Sequence, residues 1–310
     1  MNGKFLAAGL IVGVLAVSLP LVSNTALAAS QPNKSAAAQT SEKDSSWYFL
    51  SADDKYGKWF EPVSVKIVKE VKTADGKSIP TEIEAWTKTT YTYEGAALTI
   101  KNYDLKTILP DPNMLSYSLA LLRINPQNRT IQYAREDFYD AKGKVTWSSA
   151  ENKIKEINSQ SFDEVLYAAI VDEVFRQGEM DRKNAQDRWI ELWQSTDDNG
   201  NVTKVTADTT TMRLKGSNLI LWEWQETRTA DDKPVEIRFM KKAVNLSQGT
   251  EKISSGEVWT PQGGGWNPLE DENGGSYKMI RTDSPEYKGL YRLRAWAKGY
   301  STWVNRYSID

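Results

Sequence analysis

Cysteine and histidine are both missing from the 310 residues of this chain. Without cysteine there is no disulfide, no thiolate metal site and no thiol nucleophile, so stability has to come from packing. Without histidine the commonest general base and the commonest transition-metal ligand are gone, and with them any Ser-His-Asp arrangement. An excess of one charge is missing too. The 39 basic and 41 acidic residues leave a net charge of −2, or −3 once a leader carrying Lys4 is removed. That balance gives no electrostatic footprint for nucleic acid. Long apolar runs are the last scarcity, with one near the start and none after it.

That single run, Phe5 to Val22, follows Lys4 and precedes Ala26-Leu27-Ala28. A basic start, an apolar stretch and a small-residue cleavage motif read as a secretory signal peptide over residues 1–28. No cysteine follows the run, so a lipoprotein anchor is excluded, and no membrane span is expected in the mature chain. Residues 29–45 are rich in Ser, Ala, Lys and Gln without apolar period, which predicts a flexible tether. The remaining ~265 residues are enough for two ordinary domains.

What is abundant is aromatic: 12 Trp and 14 Tyr. Some of them recur in a fixed order, which is the signature of an internal repeat. Trp47-x-x-Leu50, Asp53-Asp54, the hexad Glu61-Pro62-Val63-Ser64-Val65-Lys66 and Trp86-x-x-Thr89 come first. Trp189-x-x-Leu192, Asp197-Asp198, Asp208-Thr209-Thr210-Thr211-Met212-Arg213 and Trp224-x-x-Thr227 follow. The spacing predicts a first repeat over 46–176, a linker over 177–187 and a second repeat over 188–310.

Most segments alternate with period two, as half-buried strands do. In the first repeat strands are expected at 46–51, 57–61, 64–71, 82–91, 119–124, 130–139 and 145–147. Asp75-Gly76 and Lys142-Gly143-Lys144 mark turns between them. In the second repeat strands are expected at 189–193, 210–214, 219–228 and 235–244. One helical stripe ends the first repeat: Phe162, Val165, Leu166, Ala169, Ile170 and Val174. Ser161 and Glu164 are spaced as a capping box before it, and Gly178 is a candidate stop. Ser284-Pro285-Glu286 opens a second helix through Trp296, weakened by Gly289 and Gly299. Strands first and a helix last predict an α+β class: two tandem similar domains, each a curved antiparallel sheet packed against a C-terminal amphipathic helix.

The W-x-x-L strand, the hexad, the Trp-centred strand, the turn Tyr139-Asp140-Ala141-Lys142-Gly143-Lys144 and the closing helix together resemble the surface-adhesin protein E-like family. The first repeat carries all of these elements; the second carries the first three and lacks a clear Y-D-x-x-G turn. Cysteines common around such domains are missing from both copies. The resemblance implies a small antiparallel sheet on a helix, export to the bacterial envelope and a binding role without catalysis. It transfers no ligand-binding residue.

Candidate sites are few. Trp222 and Trp224 share one face of a strand with Glu223 on the other; exposed, the two indoles form a stacking platform for a sugar ring, and buried, they fill the core. Trp266, Trp296 and Trp303 are the other aromatic ligand-binding candidates, the last two in a basic aromatic segment. Carboxylate pairs for glycoside hydrolysis exist on paper, in Glu223 with Glu226, Glu270 with Asp271 and Glu272, and Glu70 with Glu82 and Glu84. No motif singles any of them out as catalytic. Asp197, Asn199, Asn201, Thr203 and Asp208 match a calcium-loop count, but Val202 stands where that loop needs glycine, and a β-turn explains them. Gly263-Gly264-Gly265 lacks the Lys-Ser/Thr of a phosphate loop. No metal or cofactor is implied. The expected function is an exported, non-catalytic binding or structural module, adhesin-like, with an envelope or host-surface protein or glycan as partner; the alternative is a periplasmic carbohydrate-binding or carbohydrate-cleaving protein.

Overall fold

The computed structural model describes residues 46–150, 153–176, 188–269 and 275–309. The expected signal peptide, tether and linker lie outside the described residues, as do Glu270, Asp271 and Glu272.

The period-two segments are strands. In the first half these are β1 (Tyr48–Ala52), β2 (Tyr56–Phe60), β3 (Lys66–Lys72), β4 (Ser78–Tyr91), β5 (Tyr117–Asn125), β6 (Thr130–Tyr139), β7 (Val145–Ser149) and β8 (Ile154–Glu156). They form one antiparallel sheet ordered β1-β2-β4-β5-β6-β7, with β3 joined to β4 and β8 to β6. In the second half they are β9 (Trp189–Thr196), β10 (Val202–Asp208), β11 (Arg213–Lys215), β12 (Asn218–Arg228), β13 (Pro234–Asn245), β14 (Thr250–Thr260), β15 (Gly265–Pro268) and β16 (Lys278–Met279). Their order is β9-β10-β12-β13-β14-β15, with β11 on β12 and β16 on β14. The two sheets are therefore the same sheet, strand for strand. Even the register shift in the central hairpin recurs, between Leu121 and Leu122 in one and Lys241 and Lys242 in the other.

The hexad now has a physical meaning. In each half it makes a 3-10 turn, Pro62–Ser64 or Thr209–Thr211. The turn's hydroxyl donates back to the acid's carbonyl, Ser64 Oγ to Glu61 O at 2.7 Å and Thr211 Oγ1 to Asp208 O at 2.8 Å. The same oxygen accepts the backbone N–H of a strand tryptophan at 2.9 Å, Trp86 in the first half and Trp222 in the second. Trp222, not Trp224, is thus the counterpart of Trp86. The W-x-x-T match set the repeat two residues out of register. Because Thr211 is fully buried and holds both bonds, Thr211→Val is expected to cost roughly 1–3 kcal/mol. Thr211→Ser, which imports the first half's solution, is expected to cost well under half as much; urea denaturation of the two variants measures the difference.

Each sheet is closed by its helix, α2 (Glu164–Phe175) in the first half and α3 (Pro285–Gly299) in the second, where a short α4 (Ser301–Val304) follows; the first half also contains an earlier helix, α1 (Tyr93–Asn102). Leu166, Tyr167, Ile170 and Val171 bury the stripe of α2 against Ile83, Ala85, Leu122, Ile124 and Ile131. Leu290, Leu293 and Ala297 of α3 do the same against Leu192, Val205, Leu219 and Leu221. Gly289 is a poor helix former, but a Cβ there would stand 2.9 Å from the Trp193 ring. The glycine lets α3 lie close on β9.

Several expectations need correcting. α1 follows β4 directly and has no counterpart in the second half. Thr92 caps it, accepting from the Gly95 N–H at 3.3 Å. A Cβ on Gly95 would sit 2.2 Å from the Lys55 carbonyl, so the glycine that hides the helix from a propensity reading is what lets it pack. β10 and β14 were not expected, because Thr and Lys punctuate both. The strand expected at 210–214 is the 3-10 turn followed by β11. The Ser161–Glu164 capping box does not form: Ser161 Oγ bonds Asn158, and the Glu164 carboxylate turns to Arg188 at 2.5 Å. α2 stops on Arg176 in the left-handed region, φ 56°, while Gly178 lies outside the described residues.

The halves are not independent beads; the described residues from Trp47 onward form one compact unit. Tyr307, from the end of the second half, packs into the first half's core with its ring 4.8 Å from that of Phe175.

Candidate functional site

Parity sorts the aromatic candidates by face. The outer face of the second sheet carries Trp222, Trp224 and Phe239, with Trp259 and Trp266 paired across β14 and β15. Trp222 is only 7 % exposed. It stacks on Phe239 at 4.5 Å and 25°. Trp224 is half-buried, 6.0 Å from Phe239 and 5.7 Å from Trp266, which it meets edge-on at 60°. A flat platform of two exposed neighbouring indoles is therefore not what the strand builds; what this face offers is a corner of two half-buried indoles, Trp224 and Trp266. Trp296 packs against the second core beside Tyr300, and Trp303 is buried, its indole N–H donating to Thr209 O at 2.8 Å. Trp303 belongs to the interior, and Trp296 is half-buried at its edge.

Next to Trp224 on the same face is a cleft of about 310 Å³ lined by Gln194, Lys204, Glu226 and Arg228 among others. Lys204 and Glu226 are cross-strand partners, and Gln194 lies opposite Lys204. Arg228 holds Glu226 at 2.7 Å and Asp232 at 3.3 Å. An aromatic wall beside fixed donors and acceptors is the composition of a site for an amphipathic, hydroxyl-rich ligand.

The carboxylate pairs do not assemble. Glu223 and Glu226 lie on opposite faces of β12, Glu223 inward and Glu226 outward. Glu82 and Glu84 share Arg123 at 3.3 and 2.5 Å, and Lys69 holds Glu82 at 2.6 Å. Asp197 closes the β9–β10 turn, accepting from the backbone N–H groups of Asn199 and Asn201 at 2.9 and 2.8 Å, with Gly200 at φ 79°. Those bonds to the charged form hold its carboxyl below the usual range. Among the described residues no group of three acidic side chains is placed to hold a metal ion.

Two buried polar constellations escaped the sequence reading. On the inner face of the second sheet, Lys242 lies 2.7 Å from Glu223 and 3.3 Å from Glu251, and Lys278 reaches the far oxygen of Glu251 at 3.3 Å. Glu223, Lys242 and Glu251 are 2, 6 and 5 % exposed. Burial pulls the Lys242 ammonium down, but the two carboxylates outweigh it and the net shift is upward. Burial, with Glu251 alongside, raises the Glu223 carboxyl. The signal was there in period two, which sets Glu223 on the same face as Leu219 and Leu221.

In the first half the inner face between α1 and α2 holds Glu136. Its carboxylate accepts from Tyr103 Oη at 2.9 Å and Ser118 Oγ at 3.0 Å, and Tyr91 Oη lies 2.7 Å from Ser118 Oγ. Burial pushes Glu136 up to about 7 against the pull of those hydroxyls. Close by, Tyr133 Oη donates to Asp163 at 2.6 Å. No sequence motif marks this cluster, because its members come from the residues flanking α1 and α2 and from three strands.

Comparison with protein-family models, with curated proteins and with solved structures finds no match to this chain.

Proposed function

We propose that this protein is an exported, non-catalytic binding or structural module of the bacterial cell envelope, adhesin-like in role. The observation that carries the reading is the Trp224–Trp266 corner beside the Gln194/Lys204/Glu226/Arg228 cleft. Recognition groups fixed on strands are held more firmly than groups on loops. The leader and the resemblance to the surface-adhesin protein E-like family support export and binding.

A second reading, glycan binding inside the envelope, is favoured by the same corner, since an indole face with adjacent polar groups suits a sugar ring. Protease treatment of intact cells separates the two, with a known periplasmic protein as control. Digestion while the control survives is the expected result; protection until lysis removes the adhesin role and leaves the envelope glycan. In either case Trp224→Ala is expected to weaken ligand capture about tenfold or more with the circular dichroism spectrum unchanged.

A further inference from the structure

We propose that the cleft between the two halves binds a small organic carboxylate. The cleft encloses about 310 Å³, and its lining draws on both halves: Arg129 and Tyr167 from the first, Arg188, Trp303 and Arg306 from the second. Arg129 and Arg306 are 4 and 6 % exposed.

The guanidinium groups have donors to give. Each carries five N–H bonds. Arg129 uses two in hydrogen bonds, to Ile157 O and Thr210 O. Arg306 uses three, to Met212 O, Trp303 O and Thr210 O, and its Nε is buried with no partner among the described residues. Arg188 uses two, to Glu164 and Asp208. Among the described residues Glu164 is the one carboxylate within 4 Å of Arg129, at 3.6 Å, and none lies that close to Arg306.

The lining chooses the class of anion. Arg129, Arg188 and Arg306 are balanced by Glu164, Asp172 and Asp208, while behind them Arg213 and Lys241 share Glu156, an excess of one positive charge that leaves room for one negative charge and not for two. The remaining wall is Val165, Tyr167, Ala168, Trp303 and Tyr307, a surface for an apolar or aromatic body. A guanidinium and a carboxylate match bidentately, and a partly desolvated cleft strengthens that pairing. Arg213 lies 3.5 Å from Glu156, and burial and Arg129 together lower its pKa to about 10.

Benzoate is the probe, with neutral benzamide as its isostere and inorganic phosphate as the dianion control. Titrated into the full chain, benzoate is expected to raise the melting temperature saturably and to change tryptophan emission, since Trp303 lines the cleft. Benzamide and phosphate are expected to do neither. Arg188→Gln should weaken benzoate at least about tenfold. Because Arg188 also serves Asp208 and its loss can disturb folding, Ala168→Leu is the second variant: it fills the cleft without touching a charge and should abolish the response. No response to benzoate, equal responses to benzoate and benzamide, or a response to phosphate alone each overturns the assignment. So does a benzoate affinity that Ala168→Leu leaves intact. None of these outcomes touches the Trp224 face, so the two sites are tested separately.

Discussion

Lys242→Leu is expected to destabilise the protein by roughly 3–5 kcal/mol at neutral pH, because it leaves two carboxylates buried without their cation. Glu223 and Glu251 are each at least nine-tenths covered and both lie against the Lys242 ammonium. With the lysine gone, the carboxyls can escape the cost only by taking up protons, so the deficit should shrink as pH falls toward 5. The internal repeat supplies the control. By strand register Glu223, Lys242 and Glu251 stand where the first half has Thr87, Leu122 and Ile131. That half folds the same sheet with no ion triad at these inward positions. The combined variant Glu223→Thr, Lys242→Leu, Glu251→Ile is therefore expected to recover the whole loss and to match or exceed wild type by about 1–4 kcal/mol. Guanidinium denaturation of the single and triple variants decides it. A triple variant as unstable as Lys242→Leu would show that the triad supports the second sheet in a way its apolar twin does not.

The same register shows how far the sequence could be read. Alternation made the hairpins of 117–139 plain, and the stripe from Phe162 to Val174 located α2. The order of aromatic and hydroxyl landmarks revealed a repeat whose strand orders coincide. The match failed at Trp224 because two tryptophans of one strand share a face, and only the hydrogen bond from Trp222 N–H to Thr211 says which one the turn selects. α1 was hidden because its packing depends on a glycine that propensity counts against it. Among site residues, parity separates Glu223 from Glu226 and Trp224, but which face points inward is shown only by the burial of Glu223 with Leu219 and Leu221. The convergence of Arg129, Arg188 and Arg306 could not be read, since those residues are far apart in the chain and meet only where the halves dock. The polar seam around Glu136 was equally silent, as it exists only once α1 covers it.

That seam predicts a pH dependence of its own. Glu136 titrates near 4.5 when unfolded and at about 7 in the folded chain, its carboxylate buried and held by Tyr103 and Ser118. A raised carboxyl pKa means the folded state binds the proton more tightly than the unfolded state. Its stabilising effect is complete below about pH 4.5 and is lost as pH rises to 7, a change of roughly 3 kcal/mol. Glu136→Gln removes the titration while keeping an oxygen that accepts from one hydroxyl and placing an amide N–H that donates to the other. The stability of Glu136→Gln relative to wild type should therefore climb between pH 4.5 and 7 and level off above it, reaching a gain of about 2–3 kcal/mol at pH 8. Taking the difference at each pH cancels every other titrating group common to the two proteins. Denaturant unfolding at a series of pH values reads that difference directly. A flat line across the range would mean that Glu136 keeps an ordinary carboxyl pKa, and so that water reaches the seam beneath α1.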